Sequence, residues 1–162
     1  MTRQLLQSAR PSSLSPDPPR RSDGPGESSG SSSARFIAML AAYRATGGTA
    51  RGDDLARLLE DRHCGDFVTL ARLIVAREVF GFAWRNTFWV PMFQFEMHDL
   101  SIKPATRHVL AELAPAFDGW DVASWFTRPN GWLDDRPPVD LIGSNLAAVL
   151  GAARADRFVS AG

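Results

Sequence analysis

The apolar residues of this chain change their spacing near Phe80, and that change restricts what the chain can fold into. From Phe80 through Phe82 to Trp84 every second residue is aromatic, the period of a strand with one buried face. Arg85-Asn86 supplies a turn, and Thr87 to Val90 reads as the returning strand. Pro91 cannot donate to a ladder, which predicts a short or edge strand there, with Phe93-Gln94-Phe95 continuing extended. On both sides of this hairpin the apolar spacing is three to four, the period of helices. Phe36, Met39, Leu40 and Tyr43 share one face of a helix over 35–45, which Gly47-Gly48 ends. Thr49 is placed to cap the next helix, with Asp53-Asp54 in its first turn and Leu55, Leu58 and Leu59 on its apolar face. Arg62-His63-Cys64-Gly65 breaks the pattern before a helix over about 66–78 carrying Phe67, Leu70, Ala71, Ile74 and Val75. Beyond the hairpin, Pro104 opens a helix with Val109, Leu110, Leu113 and Phe117 on one face, and Asp118-Gly119 closes it. A short helix from Asp121 to Phe126 and a last helix over about 139–157 follow. The expected fold is mainly α with a short β-hairpin: a small helical N-terminal unit with a wing-like hairpin, then a C-terminal helical module.

Residues 1–34 fit neither period. They are rich in Ser, Pro, Gly and Arg, with Ser-Ser-Gly-Ser-Ser-Ser at 28–33, and have almost nothing to bury. Ordering such a segment costs about 1–2 kcal/mol per residue with no burial to offset it, so a disordered tail is expected. The division is then a tail at 1–34, a helical, helix-turn-helix-like unit with its hairpin at 35–97, and a second helical unit at 98–162.

The chemistry-bearing residues are sparse. One cysteine, Cys64, cannot form an internal disulfide, and no second Cys or His stands at metal-ligand spacing from His63-Cys64. His98 and His108 complete the histidines, and Gly47-Gly48 lacks the spacing of a phosphate loop. Asp134-Asp135 reads as a solvated turn between prolines. No catalytic, cofactor or metal site is expected. Formal net charge is zero, which gives no long-range pull on nucleic acid or an anionic membrane. No apolar run reaches the roughly 20 residues of a membrane span, and no secretory leader is visible, so a cytoplasmic protein without a membrane role is expected. In the helical pair and hairpin at 49–96, Arg57, Arg62, Arg72 and Arg77 are offset by Asp53, Asp54, Glu60, Asp61, Asp66 and Glu78. A DNA-binding regulator acting as an autorepressor through 49–96 is the second reading on that account.

The C-terminal half carries an ordered pattern: Trp120-x4-Trp125-Phe126-x2-Pro129-Asn130-x2-Leu133, then Arg136-x-Pro138-Val139-Asp140-Leu141. Before it stands Pro91-x-Phe93-Gln94-Phe95. Together, over about residues 84–155, these resemble the Xre/MbcA/ParS-like toxin-binding domain of bacterial type II antitoxins. One departure is that Asp134-Asp135 stand where the family pattern often has glycine. The resemblance implies a toxin-binding module at 98–162 whose partner is a RES-domain toxin, an enzyme that consumes NAD or ADP-ribosylates. Inhibition would come from occlusion of the toxin's active site by roughly Val149 to Gly162. It further implies a homodimer or higher homo-oligomer and no cofactor. Under it, Trp120, Trp125, Phe126, Pro129, Asn130, Leu133, Pro138 and Leu141 form the scaffold. Arg136, Asp140, Asn145, Val149, Arg154 and Arg157 are the candidate toxin contacts, Arg136 first because its planar guanidinium suits interfaces.

Overall fold

The structure, a computed structural model, describes residues 27–161. The expected disorder of the tail lies mostly outside them, but its boundary at 34 does not hold, because helix α1 already runs from Glu27 to Tyr43. Among the described residues, six further α-helices and one small sheet follow α1 in chain order: β1 (Thr49–Arg51), α2 (Gly52–Asp61), α3 (Phe67–Val75), β2 (Phe82–Trp84), β3 (Thr87–Pro91), α4 (Pro104–Leu113), α5 (Gly119–Thr127), α6 (Pro138–Leu141) and α7 (Leu146–Ala161). The mainly helical fold with a short hairpin is therefore as read from the sequence.

The hairpin turns on Arg85-Asn86, pairing Trp84 with Thr87 and Phe82 with Trp89. β1 adds to its other side, giving the antiparallel order β1-β3-β2. That order corrects two expectations. Thr49 is a strand residue, and α2 starts after Arg51 with no side-chain cap. β3 is short, at five residues, as one arm of that expectation has it, but central rather than an edge, and Pro91 is tolerated because it is the strand's final residue; the next amide, Met92 N–H, carries the pairing on to the Gly48 carbonyl at 2.9 Å. The chain then does not stay extended: Met92–Gln94 form a 3-10 turn.

Other boundaries shift for local reasons. α3 stops at Val75, and Arg77 takes a left-handed conformation. Asp118-Gly119 starts α5 instead of ending α4. The Asp118 carboxylate accepts from Asp121 N–H at 2.8 Å, and Gly119 packs so closely on the hairpin that a Cβ there would run into the Gly81 carbonyl oxygen. The single last helix over 139–157 is two helices. Ile142 to Asn145 separate α6 from α7, and Asn145 Oδ1 accepts from Ala148 N–H at 3.3 Å at the start of α7.

Two apolar cores result. The smaller joins α2, α3 and the sheet through Leu55, Leu59, Leu70, Val79, Val90 and Phe95. The larger is built from α4 to α7 with Phe82 of the hairpin and Phe80 and Phe93 on either side of it, and from α1 through Met39 and Tyr43. It thus draws on both sides of the expected division at 97/98. Tyr43 ties α1 to α5: its hydroxyl is fully buried, donates to the Ala123 carbonyl at 2.8 Å, and has its pKa pushed well above the usual tyrosine value by that burial. Among the described residues no helix is long and apolar enough to cross a membrane.

Candidate interaction site

The Pro-Asn pattern becomes intelligible once α5 and α7 are in place. α5 sends Phe126 fully into the core, stacked on Phe80 with ring centroids 5.5 Å apart, and Trp125 against it edge-on at 5.1 Å. After α5 the chain turns outward through Arg128 and Pro129, both exposed, and comes back at Asn130, which is buried. Asn130 organises the loop. Its carbonyl accepts from Leu133 N–H at 2.9 Å and Asp135 N–H at 3.1 Å, and its own N–H donates to the Arg136 carbonyl at 3.3 Å. Its Oδ1 accepts from Trp132 N–H at 2.9 Å.

The loop is then fastened to α7 through one carboxylate. Asp156 Oδ2 accepts from Trp125 Nε1 at 2.7 Å and from Asn130 Nδ2 at 2.7 Å, while Oδ1 accepts from Trp132 Nε1 at 3.2 Å. Asp156 enters no ion pair among the described residues, so its charge is held by three neutral donors. Asp121, Ser124, Arg128, Trp132 and Asp156 are on the walls of a groove of about 350 Å³ between α5 and the loop. At its edge Trp132 is 65% exposed, and Phe158 and Val159, at the end of the same α7, are 82% and 73% exposed. Trp132 on the loop and Phe158 and Val159 near the end of α7 are each exposed apolar side chains of the kind that partners cover.

The sequence did not single out Asp156, Trp132, Phe158 or Val159. A signal for Asp156 was present: it falls at helical spacing on the buried face Val149, Ala152, Ala153, where an acidic residue needs partners. Of the expected scaffold, Trp125, Phe126, Asn130, Leu133, Pro138 and Leu141 are buried, Trp120 packs edge-on against Phe82, and Pro129 is exposed. Of the expected contact residues, Arg154 and Arg157 meet on one shared carboxylate. Val149 is fully buried in the larger core and cannot touch a partner, because it is the central apolar residue that seats α7. Arg154 and Arg157 both hold Glu112 of α4 at 2.9 Å. Arg136, Asp140 and Asn145 are exposed, and Asn145 is used at the start of α7.

Asp134 and Asp135 both take left-handed backbone, at φ 53° and 58°, in the place where the resembled pattern has glycine. Aspartate tolerates this region better than most residues, which lets the loop close without glycine. Asp134→Gly is expected to raise stability by about 0.5–1 kcal/mol, and Asp134→Val to lower it by about 1–2 kcal/mol. Chemical denaturation of the two variants checks this; a stabilising valine would exclude the left-handed turn.

The remaining chemistry-bearing side chains form no constellation. The Cys64 thiol is exposed, with its single proton shared between the backbone carbonyls of Arg62 and Asp99, each 3.3 Å from Sγ, whereas His98 turns to the Asp99 carboxylate at 3.3 Å. No group of three or more His, Cys, Asp or Glu able to hold a metal ion occurs among the described residues. α2, α3 and the hairpin follow one another as in a winged helix-turn-helix, but α3 exposes Phe67, Val68 and Val75 where a DNA reader would be polar and basic. Comparison of the chain with protein-family models, with curated proteins and with solved structures gives no match.

Proposed function

We propose that the chain is an antitoxin-like cytoplasmic protein that binds and neutralises a RES-domain toxin, with the Pro-Asn loop and the end of α7 as its contact surface. The observation that carries this is the convergence of the pattern residues Trp125 and Asn130, together with Trp132, on the Asp156 carboxylate. A pattern that only filled a core would not need a polar clamp that holds an exposed indole in one orientation. Neutralisation is by occlusion: Trp132, Phe158 and Val159 cover the toxin's NAD-binding cleft, and the antitoxin supplies neither a reacting group nor a cofactor. Preorganisation by the clamp lowers the ordering cost that binding would otherwise meet.

Co-expression with the adjacent reading frame tests the proposal. The expected result is a toxic neighbour whose toxicity is relieved and which co-purifies. Trp132→Ala and Phe158→Asp are expected each to weaken the complex by about 30-fold, or ~2 kcal/mol, with little change in melting temperature because both side chains are exposed. A neighbour that is harmless, or toxic but neither bound nor neutralised, defeats the reading. Autorepression is the second reading, favoured by the winged order of α2, α3 and the hairpin. A flat mobility-shift titration on its own promoter at low salt would remove it.

A further inference from the structure

α1 and α5 meet at the Tyr43–Ala123 hydrogen bond, and they leave between them a cleft of about 240 Å³ that has no role in the reading above. Its α5 wall is one stripe: Trp120 and Ser124 stand four residues apart, and Arg128 follows four later at the helix end. α1 supplies Arg35, whose guanidinium lies over the Trp120 ring, 5.9 Å from its centroid. Both arginines are exposed, and neither enters an ion pair among the described residues. Ser124 is only 8% exposed and lines the cleft, yet its hydroxyl enters no hydrogen bond among the described residues. A serine inside a helix commonly returns its hydroxyl to the carbonyl one turn earlier. Here the Ser124 carbonyl is taken, by Thr127 Oγ1 at 3.2 Å and Arg128 N–H at 3.0 Å, and the hydroxyl is left to the cleft.

We propose that this cleft binds a phosphate group, free or at the end of a small molecule, between Arg35 and Arg128 with the Ser124 hydroxyl as a further donor. Charge decides the sign of the ligand. Two guanidinium groups line the cleft and, among the described residues, no carboxylate does. Asp121 and Asp156 line the neighbouring groove beside the Pro-Asn loop, and Arg128 pairs with neither. The chain's own residues 1–26 do not supply the missing anion in surplus, since they carry Arg3, Arg10, Arg20 and Arg21 against Asp17 and Asp23. The Trp120 ring restrains the Arg35 guanidinium while leaving its N–H groups for an incoming oxyanion. Geometry favours phosphate over carboxylate. A tetrahedral phosphate presents three terminal oxygens, enough to meet two guanidinium groups and a hydroxyl, whereas a planar carboxylate presents two. The cleft is smaller than the roughly 300 Å³ at which pockets for whole small molecules begin, so it suits one group and leaves whatever carries that group outside.

The inference does not rest on the toxin-binding reading, and its test is separate. The full chain is titrated with inorganic phosphate, with glycerol phosphate and with acetate at constant ionic strength, and amide shifts are followed by nuclear magnetic resonance. The expected result is saturable movement of the Ser124 and Arg128 amides with a Kd of about 1 mM for phosphate, and at least ~10-fold weaker binding of acetate. Equal binding of the two phosphates assigns the free ion, and tighter binding of glycerol phosphate assigns a phosphorylated small molecule. Arg35→Ala and Arg128→Ala should each weaken binding by at least ~10-fold, and Ser124→Ala by about 3-fold or more. Arg72→Ala, which removes an exposed arginine of α3, should leave it unchanged. If loss of the Trp120 contact unfolds Arg35→Ala, Arg128→Ala decides alone. No saturation by about 20 mM phosphate overturns the proposal. So does acetate binding as tightly as phosphate, binding indifferent to Arg128→Ala or Ser124→Ala, or binding weakened equally by Arg72→Ala. Duplex DNA held through Arg35 and Arg128 by a protein that ignores both small phosphates would assign the arginines to nucleic acid and overturn it equally.

Discussion

A Gln94→Leu variant is expected to lose about 3–5 kcal/mol of folding stability, and with it roughly 10–20 °C of melting temperature. Gln94 is fully buried, yet every polar atom of its side chain is used. Oε1 accepts from Phe80 N–H at 2.9 Å, and Nε2 donates to the carbonyls of Phe80 and Pro91, each at 2.9 Å. These contacts serve as a rung of sheet where none exists, joining the segment that leads into the hairpin to the 3-10 turn that leaves it. Leucine has nearly the same volume, so the core stays filled. The loss comes from three backbone groups left without partners in a region that excludes water, each costing about 1–3 kcal/mol. Gln94→Glu separates this from packing. An ionised carboxylate in that place cannot donate to either carbonyl, whereas the protonated acid can donate to one. Its folded-state pKa is therefore raised, and stability relative to wild type should be greatest below the ordinary glutamate range and lost as pH rises through the raised value. Urea unfolding at about pH 4.5 and pH 7 reads both effects. A leucine variant within about 1 kcal/mol of wild type would show that the three bonds contribute little.

The example of Gln94 also shows where the sequence is readable and where it is not. Periodicity located the helices and the hairpin because burial of one face leaves a repeating trace, and Phe80-x-Phe82 beside Leu55, Leu58, Leu59 is such a trace. Pro104 at the start of α4 was legible because its ring fixes the backbone angle whatever surrounds it. β1 was not, since three residues are too few to show a period, and it forms only because β3 offers it a free edge. Gly143-Ser144-Asn145 between α6 and α7 was a readable break that the apolar spacing of Leu141, Leu146 and Val149 masked. The packing of α1 on α5 rests on pairs some eighty residues apart, such as Tyr43 with Ala123, and nothing local encodes such a distance. At the candidate site the pattern residues were visible as a pattern, but their common acceptor was not. Asp156 is one acid among several charges in α7, and only the fold shows that it, and not Arg154 or Arg157, faces the Pro-Asn loop.

Asp156→Ala is the second substitution with a large expected effect, about 2–4 kcal/mol, and it bears directly on function. Removing the carboxylate leaves Trp125 Nε1 and Asn130 Nδ2 without acceptors, and both residues are 8% exposed, so water replaces the lost bonds poorly. Trp132 loses the same acceptor but is exposed enough to bond to water. Asp156→Asn should fall between, because an amide offers one accepting oxygen where the carboxylate offers two and turns an added donor toward three existing ones. The loss should appear first in the loop: faster amide exchange from Asn130 to Arg136 well below the global transition, with α2 and α3 unchanged. If the clamp exists to orient the interaction surface, Asp156→Ala weakens partner binding through loss of order, while Trp132→Ala weakens it by removing contact and leaves the loop protected. The two variants then share a phenotype in binding and differ in exchange. Normal loop protection in Asp156→Ala would mean that the carboxylate does not organise the loop. Normal loop protection together with normal binding would return the Pro-Asn pattern to the role of core filler.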